Sequence, residues 1–209
     1  RDIALAELTG AHVHIAHVSA AQSVAAIRRA KKRGLAVSAE ATPHHWTLCD
    51  LDIPGYDANF KMNPPLRGAQ DREAVLEGLA DGTIDAIATD HAPHGPYKKA
   101  AGLDGAPFGV IGLETSLGLA LTKLVATNLL SRKELIDRMS AAPARLLNLK
   151  RKGSLRPGMD ADITIIDPKS LWTVGSNFAS QSRNSPFIGM RLKGRARRTL
   201  VAGRTVHGL

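Results

Sequence analysis

Asp90, His91 and His94 close the stretch I-D-A-I-A-T-D-H-A-P-H, Ile84 to His94, in which an apolar run ends abruptly in ionisable groups. Carboxylate and imidazole side chains ligate metals and move protons, so their clustering points to hydrolytic or acid–base chemistry. Short apolar runs of this kind read as buried parallel strands. Polar groups just past the C-terminal end of such a strand sit where α/β folds place their active sites. Two further pieces share the pattern. The run A-H-V-H-I-A-H-V-S-A ends in His17, and K-M-N-P-P-L-R at 61–67 supplies a third polar cluster on a proline-stiffened loop.

The elements that must position these groups alternate. Strands are expected at 11–18, 35–40 and 84–89, with helices at 20–33, 69–80 and 112–129 and short helices over 132–147. Gly34 follows the basic turn Arg28 to Arg33 as a helix stop, and Ser131 with Glu134 forms a capping-box pattern. Period-two alternation puts His12 and His14 on one face and His17 on the other, so His12 and His14 are expected to pack against neighbouring helices. From about residue 150 the texture changes to short strands punctuated by Gly and Pro, at 162–167, 171–174 and 198–206. The chain therefore divides into an α/β region, 1–149, and a β region, 150–209.

Composition excludes several classes. With 209 residues, 44% of them hydrophobic, the chain can bury a substantial core. The single cysteine, Cys49, rules out an internal disulfide framework and fits a reducing, cytoplasmic setting. Neither a membrane-spanning apolar run nor a signal-peptide plan is present, so no membrane partner is expected. The net charge of +9 invites a nucleic-acid reading. The basic residues are spread along the chain, however, aromatics are only 4%, and no nucleic-acid motif is found, so none is expected as a partner.

The motifs, taken in order, resemble one family. H-V-S, T-P-H-H, N-P-P-L-R, T-D-H-A-P-H, P-F-G-V-I-G-L-E and G-S-L-R-P-G-M-D-A-D-I-T-I-I-D together look like the C-terminal part of a dihydroorotase. These enzymes belong to the cyclic amidohydrolase group of the metal-dependent amidohydrolase superfamily. The resemblance implies the last three strands, six to eight, of a (β/α)8 TIM-type barrel over 1–149 and part of a small β-sandwich over 150–209. It also implies that the N-terminal part of the barrel, with the remaining metal ligands, is a missing partner.

By the same resemblance His17 and Asp90 are metal ligands for one or two zinc ions, and Asp90 is also the catalytic acid–base group. Zinc lowers the pKa of a bound water to about 7, which provides a nucleophile near neutral pH. The separation 90 − 17 = 73 residues suits two strand ends with a complete strand–helix unit between them. Asn63, His94 and the backbone of Phe108 and Gly109 are implied substrate contacts, with His94 answering a carboxylate. Bland readings stand beside these: Asp90 as a helix N-cap, Asn63 as an Asx-turn residue, Gly109 as a turn only. His44 and His45 are assigned to support or packing, and His91 to either.

The implied activity is the reversible, metal-dependent cyclisation of N-carbamoyl-L-aspartate to L-dihydroorotate in pyrimidine biosynthesis. Dihydropyrimidinase- or allantoinase-like chemistry is the alternative within the superfamily. A catalytically silent scaffold for aspartate transcarbamoylase is the alternative outside it. A homodimer or association with that enzyme would be the further partnership.

Overall fold

In a computed structural model, residues 1–208 are described. Backbone contacts gather them into two compact units. The first comprises Arg1–Glu114 with Ser176–Phe187, the second Thr115–Gly175 with the residues from Ile188 onward.

The first unit is a three-stranded parallel sheet, β1 (Val13–Ile15), β2 (Val37–Ala41) and β3 (Ala86–Ile87), with β2 in the middle. Helix α1 (Asp2–Thr9) precedes β1, α2 (Ala21–Lys32) joins β1 to β2, α3 (Pro43–Thr47) follows β2, and α4 (Ala69–Asp81) leads into β3. The unit is thus α/β, as expected. Its strands are shorter than the apolar runs that encode them, because β1 and β3 have no ladder partner on their outer sides among the described residues. Single hydrogen bonds extend the pairing past the strand ends, from Val18 N to the Glu40 carbonyl (2.9 Å) and from Ala88 N to the Ala41 carbonyl (3.1 Å).

Helix α2 buries Val24, Ile27 and Ala30, and α4 buries Val75, Gly78 and Leu79. A Cβ on Gly78 would lie 3.0–3.1 Å from Ile84 and Val24, so its hydrogen is what lets α4 approach so closely. Val37, Ala39 and Ala41 are buried on one face of β2. The alternate residues Ser38 and Glu40 share the other face with His14, which pairs with Ser38 in register. Gly34 ends α2 with φ 76° and donates to the Lys31 carbonyl, the stop read from the sequence.

After β3 come α5 (Pro96–Lys99) and α6 (Gly102–Gly105) on a long loop. The helix expected at 112–129 begins only at Ser116. In its place Gly112 N and Leu113 N donate to His91 Nδ1 (3.1 and 3.4 Å), which holds the chain in a turn.

The second unit starts with α7 (Ser116–Ala120), continued by a π-turn over Leu121–Val125, then α8 (Arg132–Ile136) and α9 (Ala142–Leu146) around a π-turn over Asp137–Ala141. The capping box forms: Glu134 N donates to Ser131 Oγ (3.2 Å) and Ser131 N to Glu134 Oε2 (2.7 Å). The unit's antiparallel sheet is β4 (Ile163–Thr173), β5 (Arg191–Val201) and β6 (Arg204–His207). Two expectations are corrected here. The runs 162–167 and 171–174 are one strand with a bulge, where Asp167 accepts from Lys169 N and Ser170 N. The run 198–206 is the arms of a hairpin whose two-residue turn, Ala202 and Gly203, has φ 49° and 77°.

Candidate functional site

The C-terminal edge of the parallel sheet carries the first cluster. His17 follows β1 and Asp90 follows β3, and both have left-handed backbone, φ 38° and 45°. Non-glycine residues rarely adopt that region, and where they do the surroundings impose it. His17 Nδ1 is buried with no hydrogen-bond partner. Burial pushes the Asp90 carboxyl up from its ordinary value. His17 opposes that shift and Glu40 adds to it, so all three lie within electrostatic reach. His44, 1% exposed, sets its unpartnered Nε2 3.9 Å from Asp90 Oδ2. Burial, with His45 and His17 nearby, holds His44 well below the usual imidazole range.

His45 Nε2 donates to the Pro64 carbonyl (2.8 Å), and in the neutral ring Nδ1 then accepts from the Thr42 hydroxyl (2.7 Å). This anchors the N-P-P-L-R loop to α3, and burial brings the His45 pKa down to about 4. For His45 this is a supporting contact, whereas His44 Nε2 has no hydrogen-bond partner.

His12 and His14 correct the expectation of helix packing. Ser38 Oγ is hydrogen-bonded to both His12 Nε2 (2.9 Å) and His14 Nδ1 (2.8 Å), and His14 Nε2 meets Glu40 Oε2 at 3.2 Å. Both histidines are exposed on the sheet face away from the helices. Their apolar neighbours Val13 and Ile15 hid this polar face from a reading based on hydrophobicity.

A second cluster surrounds His94. Its Nε2 donates to the Phe108 carbonyl (2.8 Å), and Gly109 N donates to the Lys61 carbonyl (3.0 Å), which joins the 107–110 segment to the loop bearing Asn63. Asn63 is exposed there and forms a cis bond with Pro64. Gly109 has φ 125°, and a Cβ on it would fall 2.5 Å from that of Ala92, so the glycine is required by close approach as well as by its turn. Beside His94 lies a cleft of about 340 Å³ lined by Asp57, Asn59, Pro96, Lys99, Arg183 and Asn184. The structure thus brings His17 and Asp90 together, and separately joins the segments carrying Asn63, His94, Phe108 and Gly109.

Asn184 was missed by sequence reasoning. Only 3% exposed, it accepts from His94 N (3.1 Å) and donates to the carbonyls of Ala92 (2.9 Å) and Gly109 (3.1 Å), tying both arms of the loop. An asparagine in S-R-N-S-P, far along the chain, gives no local signal of this.

The donors at the sheet edge fit a divalent metal in kind. An unpartnered buried imidazole nitrogen and a carboxylate are what zinc takes. They do not suffice in number, because a catalytic zinc usually has three protein ligands, and among the described residues no group of three His, Cys, Asp or Glu could hold an ion. His17 and Asp90 fit part of a shell.

A model of the amidohydrolase family matches residues 2–206. Curated relatives include dihydroorotases of Pelotomaculum thermopropionicum, 56% identical over 207 residues, and of Geobacillus sp., 52% identical over 207 residues. Each alignment covers 99% of this chain and 48% of the relative, so the chain spans about half the length of the curated relatives it matches. Among solved structures, the L-hydantoinase (dihydropyrimidinase) of Arthrobacter aurescens superposes with a TM-score of 0.93 at 32% identity, covering 99% of this chain and 47% of that one. A dihydropyrimidinase from Brevibacillus agri gives 0.90 at 26%, again covering 99% of this chain and 47% of that one.

Proposed function

The chain belongs to the amidohydrolase family, and on that premise we propose that it is the C-terminal portion of a dihydroorotase. It would interconvert N-carbamoyl-L-aspartate and L-dihydroorotate in the cytoplasm. One observation carries the reading most: His17 and Asp90 stand on left-handed backbone at one edge of a parallel sheet, within electrostatic reach of each other. Residues 1–149 supply strands six to eight of a (β/α)8 barrel, and 150–209 supply part of a β-sandwich. The rest of the barrel, with further metal ligands, comes from outside these residues.

His17 and Asp90 would hold zinc, which when bound polarises the amide carbonyl and activates water. Asp90 takes the proton of the attacking water and returns it to the departing ring nitrogen, so the amide C–N bond breaks as the C–O bond forms. Asn63 and the backbone at Phe108 and Gly109 hold the ring. His94 binds the carboxylate through Nδ1, since Nε2 is spent on the Phe108 carbonyl.

The hydantoinase and dihydropyrimidinase structures favour a second reading, turnover of rings without a carboxylate. Identities of 52% and 56% to dihydroorotases against 32% and 26% to those structures rank the first reading higher. The test is turnover by the full-length, zinc-loaded protein of L-dihydroorotate against dihydrouracil. Faster hydrolysis of dihydroorotate is expected, and preference for dihydrouracil overturns it. A homodimer or association with aspartate transcarbamoylase is the further partnership this reading carries, checked by the mass of the assembled protein.

A further inference from the structure

Lysine is almost never fully buried unless paired, yet Lys99 is 7% exposed and no carboxylate lies within ion-pair distance of it among the described residues. Its three ammonium protons go instead to three backbone carbonyls: Ala58 at 2.8 Å, Pro107 at 3.0 Å and Lys61 at 3.2 Å. These carbonyls come from separate stretches. Ala58 and Lys61 lead into the loop that carries Asn63, Pro107 precedes Phe108 and Gly109, and Lys99 itself ends α5, just after His94. Two of the three carbonyls have backbone donors as well, Lys61 N on Ala58 and Gly109 N on Lys61, both at 3.0 Å. The ammonium is therefore added to a junction the backbone already outlines.

We propose that Lys99 is a positioning residue whose ammonium clasps the Asn63 loop to the His94 and Phe108–Gly109 segments, fixing the spacing of the substrate subsite without touching substrate. The subsite's chemistry rests on the reading above; the clasp does not. A neutral amine has only two N–H donors, and its lone pair would face the third carbonyl, so the geometry calls for the cation. Burial lowers the Lys99 pKa to about 8, with Lys61 adding to the shift and Asp57 opposing it, so the charged form prevails at neutral pH. A cluster of backbone carbonyls around one desolvated cation is also what a monovalent metal ion requires. Removing the side chain should leave a cage that ammonium or potassium can enter.

The experiment compares the full-length protein with its Lys99→Ala and Lys99→Met variants by amide hydrogen exchange at Gly109, whose N–H closes the junction. Exchange is expected to accelerate by at least about tenfold in both variants. In Lys99→Ala alone, added ammonium or potassium chloride should slow it again, while tetramethylammonium chloride should not. Unchanged exchange at Gly109, or acceleration spread equally over the β2 amides, overturns the proposal. If Lys99→Ala fails to fold, Lys99→Met carries the comparison through the ratio of Gly109 to β2 exchange. Steady-state kinetics give the second reading: KM for dihydroorotate rising about tenfold or more at nearly constant kcat supports positioning. A fall in kcat at unchanged KM overturns it. Because exchange needs no substrate, a parent protein inactive on dihydroorotate would sink the functional reading and leave the clasp tested.

Discussion

Each unit is built on three strands, but the strands pair in opposite senses, and with that changes where ionisable residues from distant stretches can meet. In the parallel sheet every strand ends on the same side, so His17, Asp90 and the α3 histidines converge there although they lie far apart in sequence. In the antiparallel sheet neighbouring strands end on opposite sides. Its charged residues pair locally instead, Arg197 with Asp167 across β5 and β4, and Lys152 with Asp160 and Asp162 just before β4. The direction of strand pairing, more than the composition of the strands, decides where chemistry can be assembled.

The contrast breaks most visibly at strand ends. On the proposed function, Asp90→Asn in the full-length protein should lower turnover by about 10²–10⁴-fold, the usual contribution of a positioned acid–base group. Val201→Thr at the end of β5 should leave turnover within about twofold. Comparable losses from the two would dissolve the distinction. Next come the cores. Leu79→Ala, at a fully buried position of α4, should cost about 2–5 kcal/mol in denaturant unfolding. Ile165→Ala, at a side chain 50% exposed on β4, should cost less than about 1 kcal/mol.

Acid should separate the units by mechanism. His44 and His45 are held neutral in the folded chain, with His45 at about 4. Between roughly pH 6.5 and 4 the unfolded chain takes up protons that the folded chain refuses, so the first unit loses stability as pH falls through that window. In the second unit Arg145 holds Asp137 below its ordinary range, Lys152 does so for Asp160 and Asp162, and the Lys169 amide for Asp167. Depressed carboxylates stabilise fully above their unfolded value of 3.8 and lose that contribution only as pH drops below it. The two tryptophans provide separate probes, Trp46 in the first unit and Trp172 in the second. In single-tryptophan variants the Trp46 signal should lose urea resistance from about pH 6 downward, and the Trp172 signal only nearer pH 4. Coincident transitions at every pH would refute this. Among the local changes, Ser131→Ala removes a helix cap and should cost about 0.5–2 kcal/mol, read as a thermal shift.

What the sequence made legible follows the same division. Period and punctuation located α2, α4 and the Ser131–Glu134 cap because those signals are local. The strand-end pattern drew attention to Asp90 and His17, and the resemblance to dihydroorotases is what favoured His17 over His12 and His14. Contacts between distant stretches left no mark: Asn184 reaches back ninety residues to His94, and nothing in the sequence sets Lys99, with its carbonyl partners, apart from its neighbour Lys98. The hairpin at Ala202–Gly203 was hidden because alanine rarely takes positive φ, so the pair did not read as a turn.

His17 and Asp90 also reveal what folding alone would have chosen. A left-handed position is most cheaply filled by glycine or asparagine, and each departure costs on the order of 1–3 kcal/mol when the residue is wrong for it. His17→Gly or Asp90→Gly should therefore melt no lower than the parent while losing whatever these side chains do. That outcome would mean the two side chains are kept at a cost to folding, so that the backbone itself marks where the molecule gives up stability.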